Sequence, residues 1–248
     1  LNAQQVISIV TCNKKGNSSS YEQYSKFKRL AKKNNVSFLY ETNVGAGLPI
    51  IKTLNDLWIS GDEILKIEAI LSGTISYIFN NYVGDNTFAE VVRTAQELGY
   101  TEPDPRDDLN GMDFSRKMLI LGREIGLPLE MSNVNIKDFL PEACLKAESI
   151  PAFYEELEKH EPYFSSFKNE AENSGRKLRL IGVLEDGKIN IEVQIVDANH
   201  PFFGLSGSDN IISFTTSRYK NTPLVVKGPG AGAEVTAAGV FADLVRVT

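Results

Sequence analysis

The residues best suited to chemistry lie between Tyr100 and Lys117, in the stretch YTEPDPRDDLNGMDFSRK. Glu102, Asp104, Asp107, Asp108 and Asp113 stand there with Arg106, Arg116 and Lys117, and the apolar run MLILG follows directly. A lysine among carboxylates at the edge of buried sequence is how a protein prepares an amine for proton transfer. Burial favours the neutral amine, whereas a neighbouring acid favours the ammonium. The sequence leaves that balance open. The competing reading is a solvated helix face, whose ion pairs are each worth a few tenths of a kcal/mol.

Something must hold these groups in place. Asp104 followed by Pro105 is a helix start, an N-cap carboxylate before a proline at the first helical position. The helical pattern runs on to Ile125, where Gly126 and Pro128 stop it. On one such helix Arg106, Asn110, Asp113 and Lys117 share a face, leaving Leu109, Met112, Leu119 and Ile120 for the core. Gly111 costs roughly 1 kcal/mol against alanine inside a helix, so it points to close approach of another element or a ligand.

Upstream, Val6–Val10 reads as a buried strand of a parallel sheet. Ser20 and Gln23 make a capping box for a helix over Tyr21–Lys33, and Val36–Tyr40 is a second strand, completing a β-α-β unit. Then come a helix over Ile50–Ile59, a strand over Ile64–Leu71, and helices over Ser76–Tyr82 and Phe88–Leu98. Residues 129–176 are mostly polar, with helical patterns at Ala152–Lys159 and Phe167–Asn173. From Lys177 the period becomes two, giving four strands in KLRLIGVLE, KINIEVQIVD, NIISFTTSR and TPLVVKG. Glu185-Asp186-Gly187-Lys188 turns the first pair. The expected class is α+β, a mostly antiparallel sheet with helices attached to an α/β remnant. The strand at the very start implies a chain that begins partway through a sheet-containing domain.

Two glycine-rich turns could hold ligands. Glu41-Thr-Asn-Val-Gly-Ala-Gly-Leu-Pro49 joins a strand to a helix, and its carbonyls with Glu41 suit a hard cation; an ordinary strand-to-helix turn is the alternative. Gly228-Pro-Gly-Ala-Gly232 opens a helix, where exposed amides attract anions or polar cofactor groups. It is not a G-x-G-x-x-G, and no Walker A sequence occurs. His160 and His200 lack metal-ligand spacing, and Cys12 and Cys144 read as buried spacers rather than nucleophiles.

A net charge of −6 over 248 residues argues against nucleic-acid partners, and the basic run Lys26–Lys33 reads as the wet side of a helix. Two cysteines give no disulfide framework and fit a reducing compartment. No apolar run approaches the ~20 residues needed to cross a bilayer, and no signal peptide is visible, so a soluble cytoplasmic protein without membrane partners is expected.

In order, ETNVGAGLPI, LSGTISYIFN, LGYTEPDPRDDLNGMDFSRK, GSDNIISF and GPGAGAEVTAAGVFAD resemble the catalytic region of homoserine dehydrogenase, most of all the dehydrogenase half of bifunctional aspartokinase–homoserine dehydrogenases, including NKKGNSSSYEQY. The likeness covers essentially the whole chain. It implies a mixed-sheet catalytic and dimerisation domain over 41–227. This would be attached to the C-terminal remnant of a dinucleotide-binding domain over 1–40, with 228–248 returning to the nucleotide side. It further implies NAD(P)-dependent interconversion of L-homoserine and L-aspartate 4-semialdehyde, in a homodimer or higher homo-oligomer. By the same likeness Lys117 is the general acid/base and Lys14 lies near that centre. Glu102 holds the substrate amino group, while Asp108, Asp113, Gly73, Thr74 and Tyr100 complete the substrate pocket. A monovalent cation, sodium or potassium, falls to Glu41, Val44, Ala46 and Leu48. Gly232, with Lys14, falls on the cofactor side.

The family's glycine-rich dinucleotide fingerprint has no counterpart in these residues, so this segment is expected to bind NAD(P) poorly and to be inactive alone. The sequence does not separate NAD from NADP. A non-catalytic ligand-binding or dimerisation module is the alternative, in which the acidic helix is structural. Aspartate-semialdehyde dehydrogenase shares the small substrate but needs a thiolate nucleophile, for which neither cysteine has a setting.

Overall fold

The N-terminal part is a small parallel unit. Strand β1 (Ile9–Val10) pairs with β2 (Phe38–Leu39), joined by helix α1 (Tyr21–Lys33). The Ser20 hydroxyl accepts from the Gln23 amide, and Lys32 and Lys33 complement the helix dipole in the last turn. In this computed structural model residues 7–137 and 139–247 are described. The first strand is shorter and wetter than expected: Ile9 and Val10 are half-buried, Ile7 is exposed, and Val6 lies outside the described residues. Helix α2 (Ile51–Ile59) follows a 3-10 turn at Glu41–Asn43.

The rest of the chain builds one larger sheet with helices laid on it. In order come β3 (Ile64–Ile70), α3 (Gly73–Asn81), α4 (Phe88–Glu97), α5 (Arg106–Leu109), α6 (Met112–Glu124), β4 (Val134–Ile136), α7 (Glu142–Leu145), α8 (Ile150–Lys159) and α9 (Glu161–Asn173). Then follow β5 (Lys177–Glu185), β6 (Lys188–Val196), β7 (Asp209–Thr216), β8 (Leu224–Pro229) and α10 (Ala233–Val247). The strand order is β4-β6-β5-β3-β7-β8, antiparallel except where β4 runs parallel to β6. This is the mixed-sheet α+β architecture the sequence implied. Asp186 and Gly187 adopt positive φ (50° and 72°) to close the β5–β6 hairpin, as its right-handed twist requires. The three-residue β4 escaped the sequence pattern because its run is too short to show a period of two.

Alternation along the strands sorts the core into two faces. Ile67, Ala69, Leu180, Leu184, Ile212 and Phe214 face the helices in the main core. Ile70, Ile181 and Ile211 point the other way and pack with Val196, Phe202 and Leu205.

The expected single helix over 105–125 is two helices. Gly111 takes φ +69° between α5 and α6, and a Cβ there would lie 2.4 Å from Ile136 Cδ1. The close approach inferred from Gly111 is therefore with β4, and it turns the chain. Arg106 and Asn110 consequently leave the face of Asp113 and Lys117: Arg106 bonds to Asp104 and to the Ala147 carbonyl. Pro105, not Asp104, takes the N-cap position, while Asp104 Oδ1 accepts from the Arg106 amide at 3.0 Å. Leu109, Leu119 and Ile120 are buried as expected, but Met112 is exposed because the break rotates it outward.

Candidate active site

Lys117 lies in the middle of α6, between the buried Phe114 and Met118, so its stem runs through the core. The residue is only 9% exposed. Its amine donates to the Leu71 carbonyl at 2.6 Å and meets Asp113 Oδ2 at 2.9 Å, one helical turn away. Leu71 follows the last residue of β3, between the strand and the α3 N-terminus, where strand hydrogen bonding has stopped, so its carbonyl is available. Burial pushes the Lys117 amine below the usual lysine range against the pull of Asp113. The balance left open by the sequence thus falls to desolvation. Asp113 also meets Lys14 Nζ at 2.9 Å through its other oxygen. Although partial burial opposes ionisation, the two ammonium groups hold the carboxyl at about 2. One carboxylate therefore bridges two amines from different parts of the chain.

Beside this triad sits a second polar group. Thr74, in the first turn of α3, donates to the Tyr100 carbonyl at 2.6 Å and contacts Asp108 Oδ1 at 3.1 Å. Asp108 Oδ2 accepts from the Glu102 amide at 2.8 Å. Burial raises the Asp108 carboxyl above the ordinary range despite those two donors. Thr74, Tyr100, Glu102 and Asp108 are thus tied into one loop-and-helix corner, with the Glu102 side chain exposed. Tyr100 stacks on Tyr77 at 4.3 Å between ring centroids. Gly73 opens α3, and a Cβ there would approach the Ser208 carbonyl to 3.1 Å.

The loop carrying Lys14 is fixed by groups that sequence reasoning passed over. Arg123, buried on α6 six residues beyond Lys117, donates to the Asn17 carbonyl at 2.8 Å and twice to the Leu129 carbonyl, and it pairs with Glu130. Asn17 donates to Asn43 Oδ1 at 2.8 Å, and Asn43 donates to the Thr11 carbonyl at 3.1 Å. The next residue, Glu124, is buried and accepts from Tyr24, Tyr40, Asn55 and Lys28. Burial first, and then the Glu124 charge, pushes both tyrosine hydroxyls well up. An Arg-Glu pair at the end of an otherwise apolar helix was the available signal, because charges there need partners from elsewhere.

Of the two glycine-rich turns, the first folds around Glu41. Its carboxylate accepts from the Ile51 and Lys52 amides at 2.8 and 2.9 Å, capping α2, and burial beside these donors raises its carboxyl. Glycine at 239 brings α10 against this loop; a Cβ there would lie 2.5 Å from Thr42 and 3.2 Å from the Ala46 carbonyl oxygen. Each Glu41 carboxylate oxygen keeps a lone pair beyond its amide bond, and carboxylate and main-chain oxygens are the donor type that a hard cation takes. In the second turn Gly232, at φ +121°, leads into the exposed first turn of α10. Beneath the neighbouring Gly230 of the same turn, Asn210 is buried with a carboxamide that has no hydrogen-bond partner among the described residues. Both cysteines are free; Cys144 is buried as expected, whereas Cys12 is exposed beside the Lys14 loop. The histidines lie away from this group: His160 bonds to Glu156, and His200 lies 3.7 Å from Glu68.

A sequence model of the homoserine dehydrogenase family matches residues 49–245. The chain is 49% identical, over 97% of its length, to a chloroplastic bifunctional aspartokinase/homoserine dehydrogenase of Arabidopsis thaliana, and it spans 26% of that protein. A crystal structure of a Candida auris protein of unknown function superposes with a TM-score of 0.93 at 42% identity, covering 98% of this chain and 70% of that one. A hyperthermophilic archaeal homoserine dehydrogenase mutant in complex with NADPH superposes with a TM-score of 0.72 at 25% identity, covering 97% of this chain and 63% of that one. With a buried lysine, its shared carboxylate and the mixed sheet in place, these matches make the chain a member of the homoserine dehydrogenase family.

Proposed function

We propose that this chain is the catalytic part of a homoserine dehydrogenase, interconverting L-homoserine and L-aspartate 4-semialdehyde in amino-acid biosynthesis. The observation that carries the reading is the Lys117 amine, buried, lowered in basicity and held between Leu71 and Asp113. Oxidising an alcohol releases a proton as the hydride leaves. An amine with depressed basicity takes that proton at the substrate hydroxyl and returns it in the reverse direction. Lys14 stands across Asp113 and supports the charge that develops there. Glu102, with its carboxylate in solvent, is complementary to the substrate ammonium. Asp108, Thr74, Tyr100 and Gly73 shape the corner around the small amino alcohol.

A bound dinucleotide, NAD or NADP, would supply the hydride acceptor, with Gly232 and Lys14 on its side of the site. The family likeness to an enzyme described with NADPH supports that assignment. Glu41 with the main-chain oxygens of Val44, Ala46 and Leu48 would hold a monovalent cation, which fixes the loop leaving β2 without entering the chemistry. The corresponding division is 1–40 on the nucleotide side, 41–227 as catalytic and dimerisation domain, and 228–248 returning to the nucleotide side. It is supported by two separate sheets and by the contacts of α10 with the 41–43 turn and β1. Assembly is proposed as a homodimer or higher homo-oligomer through the six-stranded sheet. The setting is proposed as cytoplasmic, which suits two free thiols; no helix among the described residues is long and apolar enough to cross a membrane.

The test is homoserine-dependent reduction of NAD or NADP by the full-length protein. Turnover with homoserine is expected. Binding of homoserine without any turnover, with either dinucleotide, would favour the non-catalytic module instead.

A further inference from the structure

Asn210 stands near the start of β7 as a buried carboxamide with nothing to bond to. It is 1% exposed, and neither Nδ2 nor Oδ1 has a hydrogen-bond partner among the described residues. Hydrogen-bonding groups are seldom left this way in a folded interior, because desolvation is uncompensated.

Its neighbours say where it is. Strand alternation puts Asn210 on the same side of the sheet as Ile212 and Phe214, which is the helix side that carries Lys117. One register step beyond the Ile70–Ile211 pair sets it opposite Leu71, whose carbonyl holds the Lys117 amine. On its other flank Asn210 pairs with Gly228 of β8. The chain then folds back over it: a Cβ on Gly230 would lie 1.9 Å from Asn210 Nδ2 and 2.0 Å from its Cγ. Only glycine lets the turn rest on the carboxamide. Asn210 is thus the contact between the strand end that holds the proton-transfer lysine and the glycine turn assigned to the dinucleotide.

We propose that Asn210 is a positioning residue for the cofactor end of this site. Its carboxamide stays unpaired in the free protein and bonds to the backbone of the Gly228–Gly232 turn when a nicotinamide ring settles against that turn. The backbone of Gly230 already lies against the side chain and carries the donor and acceptor that it lacks, so a small displacement completes the pairing. This inference rests on the dehydrogenase reading above. Part of the binding free energy then comes from satisfying a group that the free protein leaves orphaned. Affinity and stability must therefore respond in opposite directions to its removal.

The experiment uses the full-length protein and the near-isosteric Asn210→Leu variant. Without dinucleotide the variant is expected to melt at or above the wild-type temperature, since an apolar group replaces an unsatisfied polar one. Its NADPH dissociation constant, read by titrating the nicotinamide fluorescence, is expected to rise about 10-fold, equivalent to about 1.4 kcal/mol. Asn210→Ala is measured alongside in case the leucine does not pack, and the same loss of affinity is expected. NADPH affinity unchanged in a folded variant overturns the proposal, whatever the melting temperature. A variant that melts lower than wild type by as much as it loses affinity also overturns it, because the carboxamide is then a structural bond of the free protein. A wild-type protein that takes up no NADPH overturns the dehydrogenase reading as well, and so separates the two failures.

Discussion

Replacing Lys117 by methionine in the full-length protein should cost activity and leave stability nearly untouched. The side chain keeps its length and its apolar stem, so the core between Phe114 and Met118 stays filled. What is removed is one charge-assisted hydrogen bond to Leu71, worth about 1.5–3 kcal/mol, and an ion pair to Asp113. That carboxylate is 48% exposed and keeps Lys14, so its share is at most about 1 kcal/mol. Against these stands the desolvation of a buried ammonium, several kcal/mol in its own right. The terms nearly cancel, and a change within about 1 kcal/mol of wild type is expected in urea unfolding.

Loss of the proposed general base should lower kcat for homoserine oxidation by about 10²–10⁴-fold, followed by the absorbance of the reduced dinucleotide. The pH dependence of stability gives a second readout. Because the folded Lys117 is less basic than the unfolded one, the unfolded state binds more protons between the lowered value and about 10.4. Wild-type stability therefore rises with pH across that window, and the rise should vanish in Lys117→Met. A variant within tenfold of wild-type kcat, or one destabilised by more than about 2 kcal/mol, would refute the reasoning and make the amine a structural strut.

Three further outcomes follow from the same geometry. Asp113, held at about 2 against an ordinary 3.8, contributes stability above its unfolded value that is lost as pH falls through 3.8 toward 2; Asp113→Asn should flatten that acid limb by about 1 kcal/mol after allowance for its exposure, as read from acid titration by circular dichroism. Arg123→Met strands the Asn17 and Leu129 carbonyls and should cost about 3–5 kcal/mol in urea unfolding, with Lys14 losing its register and homoserine turnover falling alongside. Glu41→Ala removes the cap on two α2 amides and should cost about 1–2 kcal/mol in thermal melts. It should also abolish any stabilisation of the protein by sodium or potassium chloride that is specific to one cation.

Much of the architecture was readable from local rules. The Ser20 cap, the Asp186-Gly187 turn and the period-two strands after Lys177 each depend on neighbours in sequence, and each element forms where its pattern stands. Lys117 and Asp113, one turn apart on a helix, were equally legible as a pair. What the pattern concealed was set at long range. Gly111 breaks the helix because Ile136, twenty-five positions on, needs the space. Leu71 became the partner of Lys117 because β3 ends one residue before it, and no property of leucine announces a free carbonyl. Lys14 reached Asp113 only through the Arg123–Asn17–Asn43 chain of bonds, whose members lie far apart in sequence.

The adjacent Arg123 and Glu124 carry a mechanical implication. One grips the Lys14 loop and the other gathers Tyr24, Lys28 and Tyr40 from the small parallel unit, while the same rod presents the Lys117 amine six positions before Arg123. A hinge at that joint would have to tear a buried guanidinium and a buried carboxylate from their partners together. The small parallel unit and the rod that carries Lys117 therefore move as one piece, and the loop that presents Lys14 travels with them.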